Sequence, residues 1–403
     1  MCMVHANIDL KVESLHKAGI IKEKNYDELL ESLCCSRYEE TCLKRECFAC
    51  KNKILYYNEF SNDDDIVFYK WIHSREAFST KKGSKTVTII KKDEIKARPL
   101  QIINELDFEL KSFFEHCYLI QTQYNNLKQL KKSLTVNSAV LHVDFSENYS
   151  MKATNEIQSF HFGGSRKELC LHTAVIYTFD FHISDIKPTS VCTVSECLQH
   201  DAPAVWAHIV PLIKKAIEIN PFIDKLHFQS DSPTSQYRNK YMFFIITQLF
   251  KDFPQISAIT WNYTAPGHGK GAADGVGAVI KRTADFEVNH GADITTIDKF
   301  MSVLQERTNV IIIRVTENDV KKRQKLIPNK LVTFKGTLNV HQVLWEQHCK
   351  RLTLRTSSCF KCTCGQICDH GKHLGFIAIP CSTTISNIQA ENKDHVTLLA
   401  ATK

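Results

Sequence analysis

The chain has no run of eighteen apolar residues, and this absence excludes a membrane-spanning helix. The N-terminal sequence MCMVHANIDLKVES also lacks the apolar core of a signal peptide and is typical of the interior of a domain. Glycine and proline are scarce, at 14 and 10 of 403 residues, which excludes a collagen-like or low-complexity chain. We therefore expect an intracellular protein with one large domain or two to three smaller ones.

Charge of one sign is also limited, because the formal net charge is only +7. This bias is compatible with nucleic-acid binding, and equally with an ordinary, slightly basic protein. The densest basic run comprises Lys321, Lys322, Arg323 and Lys325. It fits contact with nucleic acid, nuclear import or a solvated linker.

The 16 cysteines are interpreted as thiols and metal ligands of a reducing compartment, because no signal peptide is present. The first cluster has the spacing C-x6-C-x4-C-x2-C at Cys35, Cys42, Cys47 and Cys50, with Cys34 as an alternative to Cys35. Four thiolates predict a closed, structural Zn²⁺ site. Ordinary reduced cysteines are the alternative for this cluster and for the next.

A second cluster, near the C-terminus, holds more ligands than the four that one Zn²⁺ requires. We favour Cys359 and Cys362 together with two of the other four residues, and the spacing leaves open which two. The six candidate ligands are Cys359, Cys362, Cys364, Cys368, His370 and His373. Cys349 and Cys381 lie beside them in the sequence.

Residues 8–33 predict two short amphipathic helices with a break at Gly19, and IVFYKWI and KTVTIIKK predict two strands. Residues 104–134 predict one long helix with an apolar seam. The seam consists of Leu106, Leu110, Phe113, Cys117, Ile120, Tyr124 and Leu127. A coiled-coil homodimer through this helix is one interpretation. We favour a helix packed on its own domain, because few heptads are sustained.

Residues 138–315 carry the argument for the fold, since strands alternate there with helices. The predicted elements are strands 138–149, 155–162 and 168–179, helix 203–219, strand 225–231, helix 239–253, strand 256–265 and a helix after a glycine-rich loop. Gly163-Gly164 predicts a hairpin between the second and third strands. The order β-β-β-α-β-α-β-α is that of the RNase H-like fold, an α/β class with a mixed sheet flanked by helices.

We divide the chain into four parts. They are an N-terminal helical segment with a Cys cluster (1–60), strands and a long helix (61–134), an RNase H-like catalytic domain (135–315), and a basic linker with a C-terminal Cys/His segment (316–403). The two zinc-binding segments would therefore lie at the two ends of the chain.

Three acids fall at the ends of predicted elements. Asp144 ends the first strand, Asp231 ends the fourth, and Asp274 precedes the last helix, where it also fits an N-cap. In the predicted fold, the first and fourth strands are neighbours, so these carboxylates would meet and hold Mg²⁺ or Mn²⁺ for two-metal phosphodiester chemistry. Glu147 is a candidate auxiliary ligand, and Glu287 competes with Asp274 but falls well inside the helix.

The blocks HVDFSENY, QSDSPTSQYRNK and GHGKGAADGVGAVIKR resemble those of transposase-derived, RNase H-like proteins found in many animals. The similarity covers about residues 30–315, and these three blocks are its specific part. The resemblance implies a DDE/D-type phosphoryl transferase ancestry with Asp144, Asp231 and Asp274 as the acids. A domesticated descendant could keep the fold after losing activity.

The glycine loop GHGKG lacks the Ser or Thr that follows the lysine of a nucleotide-binding P-loop. We expect Lys270 and backbone N–H groups of this loop to approach a nucleic-acid phosphate. His268 is a candidate for orienting the phosphate or the water, and Arg238 is a candidate phosphate contact. The alternative for His268 is a loop histidine that is hydrogen-bonded to the backbone. The alternative for Arg238 is a role in capping the next helix.

The leading hypothesis is a nuclear, divalent-metal-dependent nuclease or strand transferase that acts on DNA. The alternative is a catalytically silent DNA-binding or scaffold protein that retains the fold. A nuclease directed at RNA is a third hypothesis, for which Glu147 would be the fourth acid. No helix-turn-helix or finger array is recognisable, so the DNA target is not predicted.

Overall fold

The computed structural model of the chain describes residues 2–80, 83–158, 166–347, 349–368, 370 and 373–378. Several predicted features lie outside these residues. They are Cys381, the Gly163-Gly164 turn and the second half of the predicted strand 155–162.

Two short helices and a single helical turn open the structure. They are α1 (Met3–Lys17), α2 (Tyr26–Leu33) and α3 (Glu40–Leu43). Gly19 follows α1 with φ +72°, a left-handed conformation that glycine adopts without a Cβ clash. Asn25 caps α2, its side chain accepting a hydrogen bond from the Glu28 N–H at 2.9 Å. The predicted pair of helices broken at Gly19 is confirmed.

A long hairpin and the longest helix follow. They are β1 (Ile66–Thr80), β2 (Gly83–Ala97) and α4 (Pro99–Lys132). The hairpin forms its own two-stranded antiparallel sheet, so both predicted strands are confirmed and are longer than predicted. Pro99 occupies the first position of α4, where a missing backbone N–H has no cost to the helix.

A mixed sheet, nine-stranded over the described residues, forms the centre of the structure. Its strands are β3 (Ser138–Ser150), β4 (Glu168–Asp180), β5 (Asp185–Ser195), β6 (Lys225–Ser230), β7 (Ala258–Tyr263), β8 (Ile311–Arg314), β9 (Gln342–Glu346), β10 (Arg351–Arg355) and β11 (His373–Ala378). The spatial order is β11-β10-β9-β7-β6-β3-β4-β5-β8. β3 pairs antiparallel with β4 and parallel with β6, and β6 pairs parallel with β7.

Helices cover both faces of this sheet. They are α5 (Ala202–Ile219), α6 (Lys240–Ile246), α7 (Leu249–Asp252), α8 (Ala272–Asn289), α9 (Ile297–Arg307) and α10 (Glu317–Leu326). Leu141 and Val143 of β3 point to one apolar core with α5. His142 and Asp144 alternate with these two residues along β3 and point to the opposite face, where α8 packs. Among the described helices, none combines the length and apolar character that crossing a membrane requires.

The predicted second strand is wrong in its described part, because residues 155–158 form no strand. The hairpin partner of β4 is β5, with Asp180 opposite Asp185 at the turn. Pro188 and the polar residues near it obscure the strand pattern of β5. Pro188 is tolerated because β8 pairs with β5 only from Val191 onward, so the proline lies at a free edge.

Two further elements differ from the predictions. The predicted helix 239–253 is divided into α6 and α7, and the Thr247 hydroxyl donates to the Phe244 carbonyl at 2.6 Å where α6 ends. Residues 316–403 contain β9, β10 and β11, which extend the sheet beyond β7. We predicted a basic linker and a C-terminal Cys/His segment here, because strands of only five or six residues give a weak pattern beside the lysines and cysteines that surround them.

The apolar seam of α4 is buried within the chain itself. Leu106, Phe113, Cys117 and Leu127 are each at most 8% exposed, whereas Tyr124 is 61% exposed. A helix packed on its own domain, the interpretation that we favoured, agrees with this burial. The homodimer through this helix gains no support, since most of the seam is occupied.

Candidate functional site

Asp144 and Asp231 lie at the same level of two adjacent parallel strands. The prediction that Asp144 ends its strand is wrong, because β3 continues beyond it to Ser150. β3 and β6 pair in register up to His142 and Gln229, and each acid lies two positions beyond that last pair. Neighbouring strands are about 4.8 Å apart, and residues two apart on a strand share a face. The register therefore brings the two carboxylates together, which agrees with the prediction that the first and fourth strands are neighbours.

Asp274 comes from the first turn of α8, which packs across β3 and β4. Gly277 permits this close packing, because a Cβ there would lie only 2.7 Å from the Ser146 hydroxyl oxygen. One carboxylate oxygen of Asp274 accepts a hydrogen bond from the Gly271 N–H at 2.7 Å. Gly271 is thus the N-cap residue, and the expectation that Asp274 fills that position is wrong.

The three acids interact electrostatically. Burial and the charges of Asp231 and Asp274 raise the pKa of Asp144 to about 7. Burial and the charge of Asp274 raise the pKa of Asp231 to about 6. Asp144 and Asp231 therefore resist ionisation, and a bound cation would relieve the repulsion between the acids.

The donors fit a hard divalent cation in their chemistry. The Oδ1 atom of Asp231 is buried and has no hydrogen-bond partner among the described residues. Carboxylate oxygen is the ligand that Mg²⁺ and Mn²⁺ prefer. The described groups whose ligand atoms all lie within 4.8 Å of one another do not include Asp144, Asp231 and Asp274 together, so the acids are more widely spaced than the ligands of a single small ion.

The two other candidate acids lie apart from this centre. Glu147 has a side chain 95% exposed and faces Lys281 at 3.6 Å, so it is a solvated carboxylate, although it lies in an irregular part of β3 rather than in a turn. Glu287 pairs with Arg307 at 3.1 Å near the end of α8. Both positions agree with the lower rank that the sequence pattern gives these residues.

The three predicted nucleic-acid contacts occupy different environments. Lys270 is exposed on the glycine loop, as a phosphate contact requires. Arg238 is only 5% exposed, and its Nε and Nη1 atoms lack a partner among the described residues, so it does not present a surface contact in this conformation. The His268 ring contacts the rings of His5 and His116 at steep angles, with ring centroids 5.0 and 5.5 Å away.

A basic cleft of about 1090 Å³ opens between α4, the glycine loop and the β4–β5 hairpin. We define it by four of its lining residues, Lys128, Lys131, Lys132 and Lys270. Asp185 also lines it. Burial lowers the pKa of Lys131 to about 8, and its ammonium lies 4.4 Å from the centre of the Tyr177 ring.

The basic cleft leads to the acids. His142 and Gln229 line it, and each lies two residues before an acid on the same strand and face. Gly269 also lines it, and a Cβ at Gly269 would lie 2.8 Å from the Asp231 Cβ. The glycine loop is therefore pressed against the acid centre, and only glycine fits at that point.

The first cysteine cluster assembles as predicted. The sulfur atoms of Cys35, Cys42, Cys47 and Cys50 all lie within 4.8 Å of one another, so the cluster could hold a metal ion. Hydrogen bonding from the Ala49 N–H and from the Cys50 thiol lowers the pKa of Cys47 to about 7. Cys34 instead directs its thiol to the Cys42 carbonyl, 3.8 Å away, and is not part of the group.

In the second cluster, the structure selects one set of four ligands. Cys359, Cys362, Cys368 and His370 place their ligand atoms within 4.8 Å of one another and could hold a metal ion. Cys364 directs its thiol to the Arg351 carbonyl at 3.2 Å. The remaining candidate, His373, is the first residue of β11 and lies outside the group.

The buried Arg355 holds the loop that carries this second cluster. Its guanidinium donates to the carbonyls of Cys359 and Cys362 at 2.9 and 3.1 Å. Such backbone support orients metal-ligating thiols, as outer-shell partners do in known metal sites.

Sequence reasoning missed three features of the site. The lysines of α4 have the i, i+3, i+4 spacing of one helix face, a signal that was present at Lys128, Lys131 and Lys132. His142 lies on the same face of β3 as Asp144, which period two could have indicated. The contacts of His268 with α1 and α4 have no local signal, because the partners are far away in the sequence.

A family model described as "Domain of unknown function (DUF8701)" matches residues 123–358, which is more than half of the chain, so the chain belongs to this family. No curated protein and no solved structure matches it. The matched region contains the three acids, the glycine loop and the lysines of the basic cleft. Both cysteine clusters lie outside it.

The raised pKa values of Asp144 and Asp231 predict a stability that depends on pH. The folded state holds these protons more tightly than the unfolded chain, whose aspartate pKa is near 3.8. Stability is therefore lost as the pH rises from about 4 through the folded pKa values of about 6 and 7. Asp144→Asn removes this repulsion and should raise the melting temperature at pH 8 but much less at pH 5.

Thermal unfolding followed by circular dichroism without added divalent cation checks this prediction. With an unfolding entropy of about 2.1 cal/mol/K per residue, each kcal/mol of relief corresponds to roughly 1 °C for the whole chain. Asp298→Asn is the control, because its side chain is 79% exposed and paired with Arg314. An equal change in melting temperature at both pH values would contradict the electrostatic account.

Proposed function

We propose that this member of the family is a transposase-derived, divalent-metal-dependent nuclease or strand transferase that acts on DNA phosphodiesters, on an RNase H-like fold. The observation that carries the proposal is the in-register placement of Asp144 and Asp231 beside the basic cleft. Acids that resist ionisation next to a groove of lysines form the electrostatic pattern of a metal-assisted phosphodiester site.

The strand order supports the fold part of the proposal. β3, β4 and β5 form consecutive antiparallel pairs, and β6 and β7 lie parallel on the other side of β3. This is the arrangement expected of the first five strands of an RNase H-like sheet, with the first and fourth strands at its centre. α8 then brings the third acid across that centre, as the resemblance implies for Asp274.

The roles of the residues follow from their positions. Asp144 and Asp231 would hold the divalent ions from the sheet, and Asp274 would complete the set from α8. When bound, the ions supply activation of the attacking oxygen and stabilisation of the leaving oxygen. Because Gly269 has no side chain, the loop can lie directly against Asp231. The exposed Lys270 that follows it would bind a phosphate beside this acid.

DNA is the proposed partner because of the charge and shape of the basic cleft. Lysine acts as a point charge on phosphate and reads no base, so we expect binding with little sequence preference from this surface alone. We propose a nuclear location on the same ground, since DNA is the proposed substrate. α10, which holds the basic run, is less suited to this role, since Arg323 pairs with Asp252 at 2.6 Å and Lys321 pairs with Glu317 at 2.8 Å.

A catalytically silent, DNA-binding descendant is the second candidate. The wide spacing of the three acids and the use of one Asp274 oxygen by the Gly271 N–H favour it. The two candidates differ in whether the acids bind metal, whereas both use the basic cleft.

Structural zinc in the two cysteine clusters is part of the same proposal. Each cluster offers four ligands and leaves no open position for a substrate, which is typical of structural rather than catalytic zinc. Such sites would stabilise loops that flank the family region on both sides.

Cleavage of a labelled DNA duplex in the presence of Mn²⁺ tests the enzymatic part. Asp144→Asn and Asp231→Asn should each lower the cleavage rate at least about 100-fold. Substitutions of residues that only support a metal ligand already cost up to about 100-fold, and the loss of a ligand itself should cost at least as much. Asp298→Asn should leave the rate unchanged. Cleavage retained in both folded acid variants contradicts the assignment, and a wild type that binds DNA without cutting it supports the silent descendant.

The salt dependence of DNA binding tests the role of the basic cleft. Lys128→Gln, Lys132→Gln and Lys270→Gln should each weaken binding and reduce the slope of log K against log salt by about 0.9 for a lost phosphate contact. Lys17→Gln, at the end of α1, is a control of equal charge. Fluorescence anisotropy over a range of salt gives the slopes, and equal slopes for all variants would place the DNA elsewhere.

A further inference from the structure

A group of four soft ligands lies outside both cysteine clusters. Cys2, His5, His116 and His268 place one ligand atom each so that all four lie within 4.8 Å of one another. The Cys2 sulfur is 3.2 Å from His5 Nδ1 and 3.2 Å from His116 Nε2. In tetrahedral zinc sites with one sulfur and three nitrogens, neighbouring ligand atoms are about 3.3–3.8 Å apart.

The four residues come from three separate parts of the fold. Cys2 and His5 belong to the N-terminal end of α1, His116 to the middle of α4, and His268 to the glycine loop. The three imidazole rings contact one another, with centroids 5.0 to 5.5 Å apart. Only Cys2 and His5 are local neighbours, three residues apart at the start of α1, whereas His116 and His268 reach them through tertiary packing.

Burial and an unpartnered nitrogen indicate a ligand rather than ordinary packing. Cys2 and His5 are each 7% exposed. The Nε2 atom of His268 is buried and lacks a hydrogen-bond partner among the described residues. A buried imidazole nitrogen normally has a hydrogen-bond partner, and a metal ion would supply the missing interaction.

We infer that Cys2, His5, His116 and His268 form a Zn²⁺ site that ties α1 and α4 to the glycine loop. Thiolate and imidazole are the ligands that zinc prefers, and four of them close the coordination sphere. A closed sphere gives the site a positioning role rather than a catalytic one.

The glycine loop lies between the proposed zinc site and the acid centre. A Cβ at Gly267 would lie 2.7 Å from the Cys2 Cβ, so the loop touches the N-terminal residues on one side. On the other side, Gly269 touches Asp231. Zinc at His268, between these contacts, would fix the loop that borders the acid centre and carries Lys270. The inference does not depend on cleavage, because its test measures metal content.

Zinc content of the purified full chain, measured by plasma mass spectrometry, is the first test. The double variant Cys2→Ser/His116→Ala should hold one zinc fewer per chain than the wild type. The matched control Cys197→Ser/His182→Ala removes a thiol and an imidazole outside the group and should lose none. An unchanged zinc content in a double variant that retains its far-UV circular dichroism overturns the inference.

A ligand exchange keeps the test decisive if the double variant does not fold. His116→Cys preserves four ligands and should retain the zinc. After Co²⁺ substitution, its thiolate-to-cobalt charge-transfer absorption should exceed that of the wild type, because one sulfur has replaced one nitrogen. A Co²⁺ spectrum identical to that of the wild type would exclude His116 as a ligand and overturn the assignment.

Discussion

The parallel, in-register pairing of β3 with β6 is the constraint on which the rest of the site depends. It ends at His142 and Gln229, and it leaves Asp144 and Asp231 side by side on one face of the sheet. Two carboxylates in that position repel each other, and burial deepens the cost. A large apolar core on the opposite face, formed by β3, β6 and α5, offsets this cost in the free energy of folding. A concentrated negative charge held by a rigid sheet is the arrangement expected where function opposes stability.

Both negative and positive side chains surround Asp144 and Asp231. α8 adds a third carboxylate across β3, whereas α4 and the glycine loop supply the lysines of the basic cleft. A polyanion in the cleft would neutralise the lysines, and divalent cations at the acids would neutralise the carboxylates. The glycine loop joins the two regions, because Gly269 contacts Asp231 while Lys270 faces the cleft.

Prediction from the sequence succeeded where a pattern was local. The alternation in SAVLHVDF and KLHFQSD predicted β3 and β6 and drew attention to the acid in each, although Asp144 lies inside β3 and not at its end. β5 was missed because Pro188 interrupts its pattern, and a strand was placed instead at 155–162, where the described residues form none. The RNase H-like fold, the roles of the three acids, DNA and the nuclear location remain predictions. The group around His268 was beyond reach, since Cys2, His116 and His268 meet only through tertiary packing.

Binding of Mn²⁺ by the zinc-replete full chain at pH 8 tests the central claim most directly. Isothermal titration calorimetry compares the wild type with Asp144→Asn/Asp231→Asn, in the absence and presence of a DNA duplex. The account predicts a binding heat for the wild type that disappears in the double variant. Equal heats for both proteins, or a folded wild type that binds no Mn²⁺ even with DNA present, would contradict it.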